Sequence, residues 1–225
     1  MELAVVIVVV VLLAIMLFPA LKREQEKSWR IRCLSNTKLM GAAYRLWAGD
    51  HGDHLPSPVS MTNGGWRELL SNSNAGQYCW TNFAIMRKEL GESPAIVICP
   101  ADERQPARSF TNGFDNTHVS YFVGVDANDV YPQALLGGDR NLGPGLVPGR
   151  DYGYSPANGK GNDVFINTNS PVCWSLKMHS PGNPIGGGNI LLGDGSGQQM
   201  SSASLRLNWL RNAQTGTNGI RLVFP

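Results

Sequence analysis

Hydrophobic and polar residues are distributed unevenly along this chain. From Leu3 to Phe18 sixteen consecutive positions are apolar (LAVVIVVVVLLAIMLF), and Pro19, Ala20 and Leu21 extend the run to nineteen before Lys22 and Arg23. At about 1.5 Å per residue this is roughly 28 Å of helix, close to the thickness of a bilayer core. A cleaved secretory signal would carry a basic region in front, a shorter apolar run and a small-residue cleavage site, and these features are missing. The segment therefore predicts a helix buried in a membrane or an equivalent apolar setting. Beyond Pro19 the pattern changes period without stopping. Trp29, Cys33, Met40, Tyr44 and Trp47 recur at steps of three, four and seven, with Leu39, Ala43 and Leu46 beside them, which is an amphipathic helical stripe. Gly49 suits a C-cap and Asp50-His51-Gly52-Asp53 a loop. One helix is thus expected over about 2–48, near 70 Å long, apolar all round in its first half and one-sided in its second. Pro19 lacks an N–H and should bend or loosen it near Ile15–Pro19.

The rest of the chain reads as a small α+β body, mainly antiparallel. Short helices are expected at Trp66–Ser71, Thr81–Leu90 and Ser202–Arg211. Strands are expected at Ala95–Cys99, Val119–Val125, Asp163–Asn167, Val172–Met178, Asn189–Leu192, Gln198–Met200 and Ile220–Phe224. Gly193-Asp194-Gly195-Ser196-Gly197 suits a hairpin turn. Residues 137–161, rich in glycine and proline and without periodicity, predict a long loop or interaction surface.

Charge narrows the partners. Five of the 19 basic residues (Lys22, Arg23, Lys27, Arg30, Arg32) lie within eleven positions, and from residue 33 onward 14 basic residues face 14 acidic ones. A neutral body lacks the electrostatic footprint of a nucleic-acid binder. The basic cluster after the apolar run would keep the body in the cytoplasm by the positive-inside rule; a basic leader upstream of Met1 would reverse that balance. Glu2, at the mouth of the run, is either a solvated residue at the positive helix pole or a charge seeking a partner in an apolar setting.

Candidate chemistry is sparse. Cys33, Cys79, Cys99 and Cys173 are four and contain no CxxC. Zinc is not expected, since no two stand at ligand spacing. In an oxidising compartment they allow two disulfides in three connectivities, with free buried thiols as the alternative. Asp50 and Asp53, beside His51 and His54, and separately Asp126 and Asp129, are weak oxygen clusters for calcium; turn formation explains them equally well. Gly186-Gly187-Gly188 follows no strand and opens no helix, so no nucleotide site is indicated. Ser196 sits in a hairpin turn, not a nucleophile elbow. With no carboxylate pair or triad, no enzyme is expected. Tyr152, Tyr154 and Trp174 could form a sugar-binding platform, which makes a membrane-anchored carbohydrate-binding or adhesive module the alternative reading.

The segment ELAVVIVVVVLLAIMLFPAL is similar to the N-terminus of bacterial type IV pilins and type II secretion pseudopilins, whose glutamate and helix-kinking proline stand seventeen positions apart, as do Glu2 and Pro19. Further stretches resemble pseudopilin-like proteins of Planctomycetes and Verrucomicrobia: RCLSNTKLMGAAYRLWAGDHGDHLP (32–56), VICPADE (97–103), VSYFVG (119–124), and His179 followed by NILLGDGSGQQM (189–200). The resemblance implies a pilin-like fold: a filament-core helix over 1–21, its amphipathic continuation over 22–48 and a head over 49–225. It implies a structural subunit that polymerises with copies of itself, held in the inner membrane before assembly by pilus or secretion machinery. The product would be a cell-surface filament or periplasmic pseudopilus, with Glu2 and Pro19 as assembly residues. It also pairs Cys33 with Cys99, leaving Cys79 and Cys173 for each other.

Overall fold

The computed structural model describes residues 2–72, 74–128, 130–179, 185–206 and 219–225; for residues 2–5, 8–10, 16, 19–20 and 22–23 it describes the backbone alone. The molecule is α+β, built from a long helix and an antiparallel sheet. Helix α1 spans Glu2–Asp50. Its backbone stays helical through Pro19, so the expected bend makes no break in the element. Nor does the helix stop at Ala48: Gly49 lies inside it. Termination comes from Gly52 and Asp53, both at positive φ (66° and 61°), which turn the chain so that the N–H groups of His51 and Asp53 both reach the Ala48 carbonyl at 2.9 Å. The His51 ring stacks on Trp47 at 3.6 Å and bonds its carbonyl through Nδ1. Orphan carbonyls at the helix end thereby find partners.

Among the described residues no helix is long and apolar enough to cross a membrane. Some side chains of the span expected at Leu3–Leu21 lie outside what is described, as do those of Glu2 and Pro19.

The C-terminal part of α1, about 27 residues from Glu24 to Asp50, carries the body. Cys33, Thr37, Met40, Ala43, Tyr44, Trp47 and Ala48 are buried there, the spacing of one helical face. Leu39 and Leu46, expected beside the stripe, are instead exposed. Helix α2 (Cys79–Ile85) is shorter than expected and continues as turns to Glu92. The expected helix at Trp66–Ser71 is a 3₁₀ turn, Arg67–Ser71. Of Ser202–Arg211, Ser202–Ser204 is a helical turn and the part from residue 207 lies outside the described residues.

Eight strands are described: β1 (Tyr121–Gly124), β2 (Leu135–Asp139), β3 (Leu142–Pro144), β4 (Asn162–Asn167), β5 (Val172–Trp174), β6 (Gly187–Leu192), β7 (Gly197–Ser201) and β8 (Gly219–Phe224). Six form one sheet in the order β4-β8-β1-β2-β6-β7, every neighbour antiparallel, and β3 pairs with β5 in a separate ribbon. Side chains alternate across this sheet. Tyr121, Val123, Leu191 and Val223 join the core toward α1 and α2, while Phe122, Ile190, Leu192, Leu222 and Phe224 join a second core with Trp174 and Val172 of the ribbon. Both faces of the sheet's central strands are therefore buried, while the edge strands β4 and β7 are partly exposed.

Two expectations are corrected. Ala95–Cys99 is no strand: Pro94 opens a 3₁₀ turn, Pro94–Val97, whose last carbonyl accepts the Ser120 N–H at 2.9 Å. The chain from 137 is not one long loop, because Leu135–Asp139 is a central strand. Gly137 and Gly138 hid it from a pattern reading, yet space demands them. A Cβ at Gly138 would sit 2.8 Å from both the Asn189 carbonyl and the Phe122 ring.

Candidate metal centre

On the α1-facing side of the sheet one row of side chains is polar. Strand pairing sets Tyr121 of β1 opposite Asp139 of β2, and Asn189 of β6 donates its backbone N–H to Asp139 Oδ2 at 2.6 Å. Over this row α1 lowers Cys33, whose thiol donates to Asp139 Oδ1 at 3.1 Å and lies 3.3 Å from the Tyr121 hydroxyl. Cys99 arrives just after the Pro94–Val97 turn. His179 arrives on the segment after β5, and its Nε2 lies 3.3 Å from Cys99 Sγ, Asp139 Oδ2 and Asn189 Nδ2 alike. The donor atoms of Cys33, Cys99, Asp139 and His179 all fall within 4.8 Å of one another, and all four residues are buried.

The backbone around the cluster holds it in place. Met178, immediately before His179, adopts φ 61°, a left-handed conformation uncommon for such a residue. Arg30, one turn before Cys33 on α1, donates a guanidinium hydrogen bond to the His179 carbonyl. The Ala101 N–H points at Cys99 Sγ at 3.4 Å, and Asn36 of α1 donates to the Ile98 carbonyl at 3.0 Å.

Electrostatics set the protonation of these four side chains. Burial pushes both the Cys33 and Cys99 thiols up, and the nearby Asp139 charge adds to the rise. Burial alone would lower His179, but the Asp139 carboxylate beside it raises it to about 10. A thiol nucleophile needs the opposite environment, one that favours the thiolate. A relay also needs the two imidazole nitrogens to face different partners, one the nucleophile and one the carboxylate. Here Cys99 and Asp139 both face Nε2, while His179 Nδ1 has no partner among the described residues. The four donor atoms lie close enough together to share one ion.

The other sequence-derived candidates do not gather. Asp50 ends α1 and is exposed. Asp53 and Asp126 line one wide cleft of about 690 Å³, but Asp126 accepts the Arg221 N–H at 2.7 Å. Among the described residues no further carboxylate completes a metal-binding group with them; Asp129 lies outside those residues. All four cysteines are free. Cys33 and Cys99 share the cluster, whereas Cys79 faces the Tyr121 and Val223 carbonyls and Cys173 the Val147 carbonyl. Trp174 and Tyr152 are buried, and Tyr154 packs on Phe224, so these three form no open aromatic platform.

Spacing along the chain gave no hint of the cluster, because its four donors come from four separate segments. One signal pointed toward it. Cys33, Cys99 and Tyr121 each come from a different one of the short motifs singled out in the sequence, His179 and Asn189 from a fourth, and the fold brings those motifs to one spot. Asp139 lies outside all of them. No family model matches the chain, and no curated protein and no solved structure is similar to it.

Proposed function

We propose that this protein is a structural subunit that assembles through α1 into a helical filament, a pilus or secretion pseudopilus, after residence in a membrane. One observation carries the reading. The first part of α1 presents large apolar side chains on most of its circumference, while the part from Glu24 to Asp50 carries the body. Val11, Leu12 and Leu13 are each at least half exposed, as are Val6, Ile7, Ile15, Leu17, Phe18 and Leu21. At about 100° per residue these positions leave no wide polar face. Each large side chain is worth about 1.5–3 kcal/mol when removed from water, so this segment demands a bilayer or copies of itself. Burial is non-directional and would allow many registers. Glu2 supplies specificity, since a carboxylate among apolar neighbours is stable only with a partner charge.

Glu2→Leu should leave membrane insertion and the head intact but stop or disorder filament growth. Electron microscopy of sheared surface material, beside membrane fractionation of the same cells, reads both. Normal filaments from Glu2→Leu cells, or a membrane monomer with no filament at native expression, would make the anchored binding module the better reading. No substrate turnover is expected of either.

A further inference from the structure

We propose that Cys33, Cys99, Asp139 and His179 bind one zinc ion, and that this ion fastens the head to α1. The inference does not depend on filament assembly and would hold equally for an anchored binding module.

The geometry comes first. For Zn–S near 2.3 Å and Zn–N or Zn–O near 2.0–2.1 Å, tetrahedral coordination separates neighbouring donor atoms by roughly 3.3–3.8 Å. In the structure Cys33 Sγ and Asp139 Oδ1 are 3.1 Å apart, and His179 Nε2 is 3.3 Å from Cys99 Sγ and from Asp139 Oδ2. These pairs stand at or just under that spacing and all four donors lie within 4.8 Å of one another, so side-chain adjustments of up to about an ångström seat an ion. The donor set selects the metal. Two sulfurs exclude magnesium and calcium, which take oxygen, and a four-coordinate set of two sulfurs, one nitrogen and one oxygen suits zinc. Four protein ligands leave no open position, so the site is structural rather than catalytic.

Surrounding groups suit an ion. Asn189, whose side-chain amide meets His179 Nε2, has its Oδ1 buried without a partner among the described residues, and such groups are rare where a hydrogen-bond network is complete. Asp139 is oriented by the Asn189 N–H, and the Tyr121 hydroxyl and Ala101 N–H are placed to donate to thiolates at Cys33 and Cys99. Outer partners of this kind tune metal sites. On binding, the two thiol protons and the Nε2 proton of His179 leave to solvent. The complex of one zinc, two thiolates, one carboxylate and a neutral imidazole then carries one net negative charge, and the Arg30 guanidinium stands beside it on the His179 carbonyl. His179 and Arg30 both line two clefts of about 220 Å³ each.

What the ion would join is plain from the chain. Cys33 belongs to α1, Cys99 to the loop after the 3₁₀ turn, Asp139 to β2 and His179 to the segment after β5. Coordination ties all four together, and binding free energy becomes folding free energy.

The test uses the full chain, purified in detergent under reductant and without chelator. Elemental analysis should find one zinc per chain. After stripping, titration with cobalt(II) alone should give a saturating one-to-one spectrum, with visible d–d bands of a four-coordinate ion and a thiolate-to-cobalt charge-transfer band of two-sulfur intensity. The metal-loaded protein should melt well above the stripped protein. Asp139→Asn keeps an acceptor for the Asn189 N–H, and Cys33→Ser keeps the volume; each should weaken cobalt affinity at least tenfold while circular dichroism stays native. If a variant does not fold, the wild-type cobalt spectrum decides. Three results would each overturn the proposal: a folded, reduced wild type that takes up no metal, a cobalt spectrum without sulfur ligation, and a Cys33–Cys99 disulfide in protein taken from cells.

Discussion

Arg140 and Asp102 form the most completely buried arginine–carboxylate pair among the described residues. The guanidinium donates to both oxygens of Asp102, at 2.7 and 2.8 Å, with the side chains 3% and 0% exposed. It also lies 3.4 Å from the Tyr152 ring centroid and donates to Ser155 Oγ. Such bidentate pairs fix orientation as well as charge. Removing one partner leaves the other buried and uncompensated, so Asp102→Ala should lower stability by about 3–5 kcal/mol in chemical denaturation. The pH dependence follows from the same contact. Burial pushes the Asp102 carboxyl up, but the Arg140 hydrogen bonds and charge outweigh it and hold the group below the usual carboxylate range. A group lowered on folding contributes stability in full above its unfolded value of about 3.9 and loses it as pH falls through the folded value. Melting temperature should therefore drop below about pH 4, and less steeply in Asp102→Asn than in wild type. Equal acid slopes in the two proteins would assign the acid sensitivity to other groups. Thirty-eight positions separate Asp102 from Arg140, and neither stands in a charge pattern, so the pair could not be read before the strands were placed.

At the scale of elements, α1 meets the β6–β7 hairpin so closely that one residue decides the fit. A Cβ at Gly41 would lie 2.2 Å from the Gly195 carbonyl oxygen and 2.9 Å from Leu191 Cδ1. Gly195 in turn needs its left-handed φ of 82° to carry the hairpin around. Gly41→Ala should therefore force helix and hairpin apart and destabilise by about 1–3 kcal/mol, despite alanine's better helix propensity. Gly49 provides the control. It lies in the same helix with nothing within 4 Å of its Cβ position, so Gly49→Ala should be neutral or stabilising by about 0.5–1 kcal/mol. Thermal melts of the two variants separate packing from propensity, and a Gly41→Ala as stable as Gly49→Ala would show that the contact is not tight in solution. The same logic explains the misread strand at 95–99. Its apolar run suits either structure, and Pro94 together with the Val97–Ser120 hydrogen bond selects the 3₁₀ turn.

For the whole molecule, the decisive feature is a sheet covered twice. One face packs on α1 and α2, and the other on the β3–β5 ribbon and the Ser202–Ser204 turn. Arg104 closes the assembly by donating to the carbonyls of Asn116, Val119, Pro156 and Pro225, tying distant segments to the chain end. A head so enclosed should keep its fold whatever happens to the first part of α1. Pro19→Ala restores a missing backbone donor to the helix, so the head should melt unchanged. In the filament reading that variant should alter stiffness or symmetry more than assembly. Head melting and electron microscopy of the same preparation check both halves of the expectation, and loss of head stability would mean that the apolar segment is part of the folded unit.

The sequence by itself determined the long helix, the face it buries, the antiparallel α+β body, the hairpin around Asp194-Gly195 and most strands, because each rests on local periodicity and turn chemistry that a few neighbouring residues express. It misplaced the central strand at Leu135–Asp139, whose glycines carry no hydrophobic pattern and are required only by the strands on either side. It gave no sign of the Cys33–Cys99–Asp139–His179 cluster, because ligand spacing is a local signal and this cluster has none. Whether Cys33, Cys99, Asp139 and His179 meet depends on strand order, on register and on the height at which α1 crosses the sheet. Those are properties of the packed molecule, set by contacts between residues far apart in the chain, and only the tertiary structure decides them.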